Sequence, residues 1–433
     1  MQYLPNIFFA VLLAIGIVFF TKNIKKLIRN IKLGKSIDRS DQTKLRWKNM
    51  AYIALGQSKM VRRPVAGLLH IIVYLGFIII NIEVLEIIID GLFGTHRIFS
   101  SFGSIYGILI GSFEILAVLV LVSVCVFWIR RMLIRIPRFW NKEMLGFPKN
   151  DALYILYFEM VLMSLFLIMN AADSHFQEAN TGNIISQFLM PLFDGINPAS
   201  LHVIERTAWW LHIAGILVFL NYLYYSKHLH ILLAFPNTYY ANLNPQGKLN
   251  NLESVTNEVK MMLDPNADPF AASGTSDEGE VPDKFGVEDI TDLNWVQLLN
   301  AYTCTECGRC TSACPANQTG KELSPRAIMM KTRDRVEEVG KNIDKNGKFI
   351  DDGKSLLDTI STEELWACTS CNACVEECPV NIDPLSIIID MRRFQVMEKS
   401  AASQELNSMM TNIENNGAPW QYNQMDRLNW KDE

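Results

Sequence analysis

Apolar residues crowd the first half of the chain in long unbroken stretches, while the second half mixes short apolar runs with polar ones. Five of the long stretches approach or exceed about 20 residues, the length that crosses the hydrocarbon core of a bilayer as a helix. They run over 5–20, 65–92, 105–128, 152–172 and 207–235. The first is short, but Lys22, Lys25, Lys26 and Arg29 follow it where a cleaved leader would carry small residues, so it reads as a span. Asn, Asp, Pro, Gly and Ser dominate residues 236–289 and predict a linker. Helical spacing returns over 326–339, after Pro325, and over 384–397. The pattern therefore predicts an all-α protein. A five-span transmembrane bundle (1–235) leads through the linker to a helical domain (290–400) and a tail (401–433).

The net charge of −5 averages two unlike halves and says little about partners. Its distribution sets an orientation, because short cytoplasmic loops collect Lys and Arg. Residues 21–63 hold 13 basic and 2 acidic residues, and 129–150 hold 6 basic residues against Glu143. On the other side, 91–103 carries Arg97 alone, and 173–206 carries Arg206 against four acids. This places the N-terminus outside a prokaryotic-type inner membrane and everything after the fifth span in the cytoplasm.

Eight of the nine cysteines form two runs, Cys304-x2-Cys307-x2-Cys310-x3-Cys314-Pro315 and Cys368-x2-Cys371-x2-Cys374-x3-Cys378-Pro379. Cysteines so crowded do not make a disulfide framework and point to metal in a reducing compartment, in agreement with the charge bias. Cys125, alone in an apolar run, reads as a small core residue. Zinc pairs two CxxC hooks, which leaves a third hook cysteine and a trailing Cys-Pro without a role. Three thiolates at i, i+3 and i+6 instead suit three corners of a [4Fe–4S] cube, and in two-cluster ferredoxins the last cysteine of each run serves the other cluster. That predicts Cys304, Cys307, Cys310 and Cys378 on one cluster, with Cys368, Cys371, Cys374 and Cys314 on the second.

The segments CTECGRCTSACP, ELSPRAIMM and WACTSCNACVEECPVNIDPLSIIIDMRR, within residues 294–396, resemble the α-helical dicluster ferredoxin of heterodisulfide reductase C-type subunits and succinate dehydrogenase iron–sulfur subunits. Asn372 stands where the first run has Gly308, a departure that changes the surroundings of the hook and not its ligands.

Histidines 70, 175, 212, 228 and 230 lie in or beside spans, where ionisable groups are costly and tend to be functional. Two histidines on different helices would hold a haem b. His70 follows Pro64 by six residues and His230 precedes Pro236 by six, which puts both about 9 Å from their cytoplasmic helix ends. They form the best axial pair, with His228 as a competitor for the second place. His212 and His230 are 18 residues, five complete turns, apart and so share one face about 27 Å from each other. No histidine of the second span matches His212 in depth, since Asn81 occupies the face of His70 three turns along. His175, Met169 and His202 are its candidate partners. Glu83 and Glu86 are candidates for proton exchange near a quinone, or for simple contact with water at the outer end of the span.

RRPVAGLLHIIVYLGF and WWLHIAGILVFLNYLYYSKHLHILLAFPN resemble the five-span cytochrome b of nitrate reductase gamma and heterodisulfide reductase E subunits. The resemblance implies haems b on the second and fifth spans in exchange with a membrane quinone, menaquinone or ubiquinone. The single histidine of the second span departs from that family and bears on the outer haem. No GxGxxG turn, Walker loop or second cysteine-rich motif is present, so catalysis on a soluble substrate falls to a partner. By resemblance that partner is a cysteine-rich, disulfide-reductase-like subunit or a flavoprotein, met through the exposed ferredoxin surface or through the tail with Trp420 and Trp430. Nucleic acid is not expected. A second class of function is a redox sensor or assembly anchor that carries the clusters and performs no quinone chemistry.

Overall fold

The computed structural model describes residues 3–265 and 284–432. Among the described residues the fold is helical and has no β-strand, one parallel bridge between Lys35 and Asn294 apart. Five helices are long and apolar enough to cross a membrane: Leu4–Ile31, Pro64–Phe93, Ser104–Met132, Phe147–Ala172 and Pro198–Tyr225. Proline occupies the first turn of the second, fourth and fifth, where its missing N–H costs nothing and its fixed φ suits a helix start. Gly94 ends the second in the left-handed conformation that a side chain would resist. Each span packs on the next, and the first returns to the fifth, so the bundle is a closed ring.

Two of these helices differ from the expected spans. The first continues to Ile31, well past residue 20. The fifth does not run unbroken to 235. Its α-helix stops at Tyr222, Ser226 is extended (φ −107°, ψ 149°), and a separate helix, His230–Tyr239, follows. Hydropathy averaged along the segment passes over this break because Leu223, Tyr224, Tyr225 and Leu229 flank the short polar stretch Ser226–His228. The cause is polar: buried Asp151 accepts from the Tyr222 hydroxyl at 2.6 Å and from the Lys227 backbone N–H at 3.0 Å, and so takes up a donor that the interrupted ladder leaves free. The helical phase linking His212 to His230 is lost with it.

The expected linker also needs correction. Its middle, residues 266–283, lies outside the described residues, but the flanking parts are structured. Asn237 donates to Val380 O at 2.8 Å, and Val287 and Ile290 are core residues. Leu27, Leu229 and Leu233 share one hydrophobic core with Val287, Ile290, Leu293 and the interior of the cysteine domain. The two halves are therefore bolted together. Lys26 pairs with Asp344 at 2.7 Å, and Asn30 donates to the Tyr302 hydroxyl at 2.9 Å.

Gly34 shows how close this docking is. A Cβ there would sit 2.6 Å from Trp295 N and 2.7 Å from Asn294 C, both main-chain atoms that cannot step aside. The neighbouring main-chain bonds run from Lys35 N to Leu293 O at 2.7 Å and from Trp295 N to Lys35 O at 3.1 Å. Gly34→Ala is expected to break this pairing and cost about 2 kcal/mol, two hydrogen bonds at about 1 kcal/mol each. Limited trypsin digestion reads it: cleavage after Lys35 and Arg39 accelerates, and an unchanged rate counts against the contact.

Within the cysteine domain the helix starts are written in the sequence. Asn294 and Gln297 form a capping box over Trp295–Thr303, Ser324 caps Pro325–Asn346, and Asp383 caps Pro384–Met397. The last element spans the predicted range. In the tail, Gln404–Asn416 is helical, and Trp420 and Trp430 are exposed.

Candidate metal centre

The two cysteine runs fold alike. Glu306 and Ser370, and likewise Gly308 and Asn372, take left-handed conformations at matching places, with φ of 54°, 55°, 72° and 60°. A short helix then carries the third cysteine of each run, Arg309–Ala313 and Ala373–Glu377. The exchange of Gly308 for Asn372 has a steric reason. A Cβ on Gly308 would lie 2.5 Å from the Arg326 guanidinium, whereas asparagine tolerates the left-handed region where there is room.

The fold brings the runs together crosswise. Cys378 of the second run lines the same small cleft as Cys304, Cys307 and Cys310, with Cys374 also touching it. Charge on Cys310 is felt by Cys307, Cys304 and Cys378, in that order before Cys374. Cys314 of the first run interacts with Cys368 and Cys374. Burial pushes the Cys304 thiol up to about 12 and the Cys378 thiol up to about 11. Such thiols ionise only beside a strong positive charge, which coordinated iron supplies. Backbone N–H groups already point at the sulfurs, from Ile382 to Cys378 at 3.2 Å and from Ser370 to Cys368 at 3.4 Å. No group of three or more His, Cys, Asp or Glu among the described residues closes tightly enough for a single ion. Eight thiols in two such hooks are the donor set that two [4Fe–4S] clusters take.

Basic side chains surround the first hook. Glu306, pushed up by burial, is held below its ordinary range by Lys227 at 2.5 Å and Arg333 at 2.9 Å. Arg309 donates to Lys59 O at 2.9 Å, and Arg326 donates to Arg138 O at 2.7 Å and to Glu143 at 2.7 Å. These cations were visible as CGRC and as the basic loops after the first and third spans, but nothing in the spacing said that they converge.

Of the predicted histidines, the structure brings His70, His230 and His228 together. The ring centroids of His70 and His230 are 6.4 Å apart, and those of His228 and His230 are 5.4 Å apart. His230 Nδ1 lies 3.0 Å from Lys227 O, a bond that fixes Nδ1–H and leaves Nε2 with its lone pair. His228 Nε2 is instead 3.6 Å from Glu159. His70 Nδ1 is buried and has no hydrogen-bond partner among the described residues. His212 stands apart: its Nδ1 is 3.0 Å from Leu162 O and its ring neighbour is Phe166. His175 is exposed beside His96, with centroids 6.4 Å apart, His202 lies 3.7 Å from Glu205, and Met169 is buried.

Glu83 and Glu86 are buried, not lying open to water. Glu86 accepts from Phe99 N at 2.9 Å and the Tyr106 hydroxyl at 3.3 Å, while Glu83 Oε2 has no partner among the described residues. Around them Arg97 joins Asp173 at 2.7 Å and Asn170 at 2.9 Å, and Asn170 donates to Glu114 at 3.0 Å. Sequence reading missed this network because Arg97, Glu114 and Asp173 come from three separate segments.

Five helices long and apolar enough to cross a membrane are thus joined to paired cysteine hooks. Residues 303–382 match the family model described as a 4Fe-4S dicluster domain. The chain is 28% identical to "Probable iron-sulfur-binding oxidoreductase FadF" of Bacillus subtilis, over 98% of this chain and 60% of that protein. It is 24% identical to "EtfAB:quinone oxidoreductase" of Syntrophomonas wolfei, over 92% of this chain and 55% of that protein. Over 26% of this chain it is 30% identical to 56% of the C-type subunit of the ferredoxin/F(420)H(2)-dependent CoB-CoM heterodisulfide reductase of Methanosarcina acetivorans. The chain thus spans 60% or less of the two long relatives. No solved structure matches. The relatives are iron–sulfur oxidoreductases and support an electron-transfer role.

Proposed function

We propose that this chain relays electrons between a membrane quinone, menaquinone or ubiquinone, and a soluble cytoplasmic oxidoreductase. The first cluster is assigned to Cys304, Cys307, Cys310 and Cys378, and the second to Cys368, Cys371, Cys374 and Cys314. His70 and His230 are assigned as axial ligands of a haem b, with the N-terminus outside and the cysteine domain in the cytoplasm. When bound, these groups supply one-electron carriers, which a two-electron quinone needs to exchange with single-electron partners.

The observation that carries the reading is the juxtaposition of histidine pair and hook. An iron held by two imidazole nitrogens at about 2 Å each, with half a ring beyond on either side, separates ring centroids by about 6 Å. The observed 6.4 Å fits that. Arg309, next to Cys310, interacts electrostatically with His70 on one side and Cys307 on the other. The Lys227 carbonyl orients His230, and the Lys227 ammonium pairs with Glu306 in the hook, so one residue ties both sites together.

The Syntrophomonas relative, named for EtfAB and quinone, supports a soluble flavoprotein on one side and quinone on the other. The heterodisulfide reductase likeness supports a cysteine-rich subunit as the alternative partner. The test uses full-length protein in liposomes, reduced anaerobically and mixed with a menaquinone analogue. Iron–sulfur absorbance is expected to return to the oxidised form. Clusters that stay reduced for hours with quinone present favour a sensor or anchor instead.

A further inference from the structure

We propose that Arg138 and Arg309 make the first cluster site the more readily reduced of the two, so that the domain passes electrons inward, from its solvent face toward the membrane. The inference rests on the ligand assignment above and adds the order of the two sites.

Cluster potentials follow local charge and hydrogen bonds to sulfur, since added negative charge is held better beside cations and N–H donors. Around the first site most ionic groups cancel. Glu306 is matched by Lys227 and Arg333, Glu376 by Arg62 at 2.5 Å, Glu377 by Arg63 at 3.2 Å and Arg326 by Glu143. Two guanidiniums are left over. Arg309 is buried and bonds to the Lys59 carbonyl and the Met60 sulfur, with no carboxylate partner among the described residues. Arg138 presses its Cβ toward Gly308 in the middle of the hook, and its Nε is buried without a partner. Both act on Cys307.

The second site has one such cation, Arg392, whose guanidinium donates to the carbonyls of Leu365 and Cys368. Asp383 also acts on Cys374 there, with Arg39 as its charged neighbour. Hydrogen bonds to sulfur do not separate the sites: the Ile382 N–H reaches Cys378 at 3.2 Å and the Ser370 N–H reaches Cys368 at 3.4 Å. Greater burial of the first site opposes the charge effect, because burial disfavours added charge. Two uncompensated guanidiniums acting on Cys307, against one at the second site, outweigh it.

Geometry then gives the polarity. Cys371 is exposed, whereas Arg309 joins the first site to the loop that precedes the second span. With clusters bound, the second site would take one electron at a time from a reduced flavoprotein or dithiol subunit and pass it to the first, and two such transfers with two protons would reduce one quinone to quinol.

The test is an EPR-monitored redox titration of full-length protein in detergent, with Arg309→Gln, Arg138→Gln and Arg392→Gln beside it. Two reduction steps are expected. Arg309→Gln and Arg138→Gln move only the higher step to lower potential, Arg309→Lys restores it, and Arg392→Gln moves only the lower step. The proposal is overturned if Arg309→Gln moves the lower step, or neither, while both clusters are present. If Arg309→Gln does not hold its clusters, Arg138→Gln decides on the same criterion. Fewer than two clusters in the unmodified protein would overturn the ligand assignment itself, and the proposal with it.

Discussion

Cys378→Ala is expected to remove the cluster of the first cysteine run, although residue 378 belongs to the second. Cys314→Ala is expected to do the reverse and empty the second site. The expectation follows from the cleft shared by Cys378 with Cys304, Cys307 and Cys310, and from the interaction of Cys314 with Cys368 and Cys374. Iron and acid-labile sulfide should fall by about half in either variant, since one of two clusters is lost. The assignment comes from EPR of the reduced proteins: the signal that survives in Cys378→Ala must be the one lost in Cys314→Ala. Local ligation would give another pattern, in which Cys378→Ala and Cys374→Ala lose the same signal. Because Cys314 and Cys378 are both buried in the core of the domain, each variant is also expected to unfold at lower temperature.

His70→Ala and His230→Ala are each expected to abolish the b-type α-band of the reduced-minus-oxidised spectrum, with His228→Ala and His212→Ala leaving it in place. His70 comes from the second span and His230 from the helix that follows the break after the fifth, so neither can replace the other. His228 has the wrong tie, to Glu159 at 3.6 Å, and His212 has no histidine ring beside it among the described residues. The iron–sulfur signals should persist in both ligand variants, which separates loss of haem from loss of fold. A band that survives in both ligand variants would refute the pair.

Much of this was legible in the sequence, and what was not has physical causes. The cysteine runs could be read because iron–sulfur ligation needs fixed residue types at fixed spacing, and their conformations duly repeat at Glu306 and Ser370. The spans could be read because lipid demands length and apolarity whatever the packing. The break at Ser226 could not, since it depends on Asp151, a single buried acceptor from another helix. His70 and His230 were paired by depth from helix ends at Pro64 and Pro236; their rings lie 6.4 Å apart, but the second of these helices begins at His230 and runs past Pro236 to Tyr239. The link from His212 to His230 relied on continuous helical phase and does not survive the break. The linker was judged by composition, which is blind to Val287 and Ile290 docking against Leu27, Leu229 and Leu233. The Arg97 network and the arginines around Cys307 are tertiary constructions with no local signature.

The central claim is that histidine pair and cysteine domain lie on one route to quinone. Rapid mixing of the reduced protein in liposomes with a menaquinone analogue tests it most directly, with the haem α-band and the iron–sulfur absorbance followed in the same sample. The α-band is expected to fade first and the clusters to reoxidise behind it, and cluster reoxidation is expected to slow in His230→Ala, which lacks the band. Clusters that reoxidise at full rate in His230→Ala, or an α-band indifferent to quinone, would contradict the account.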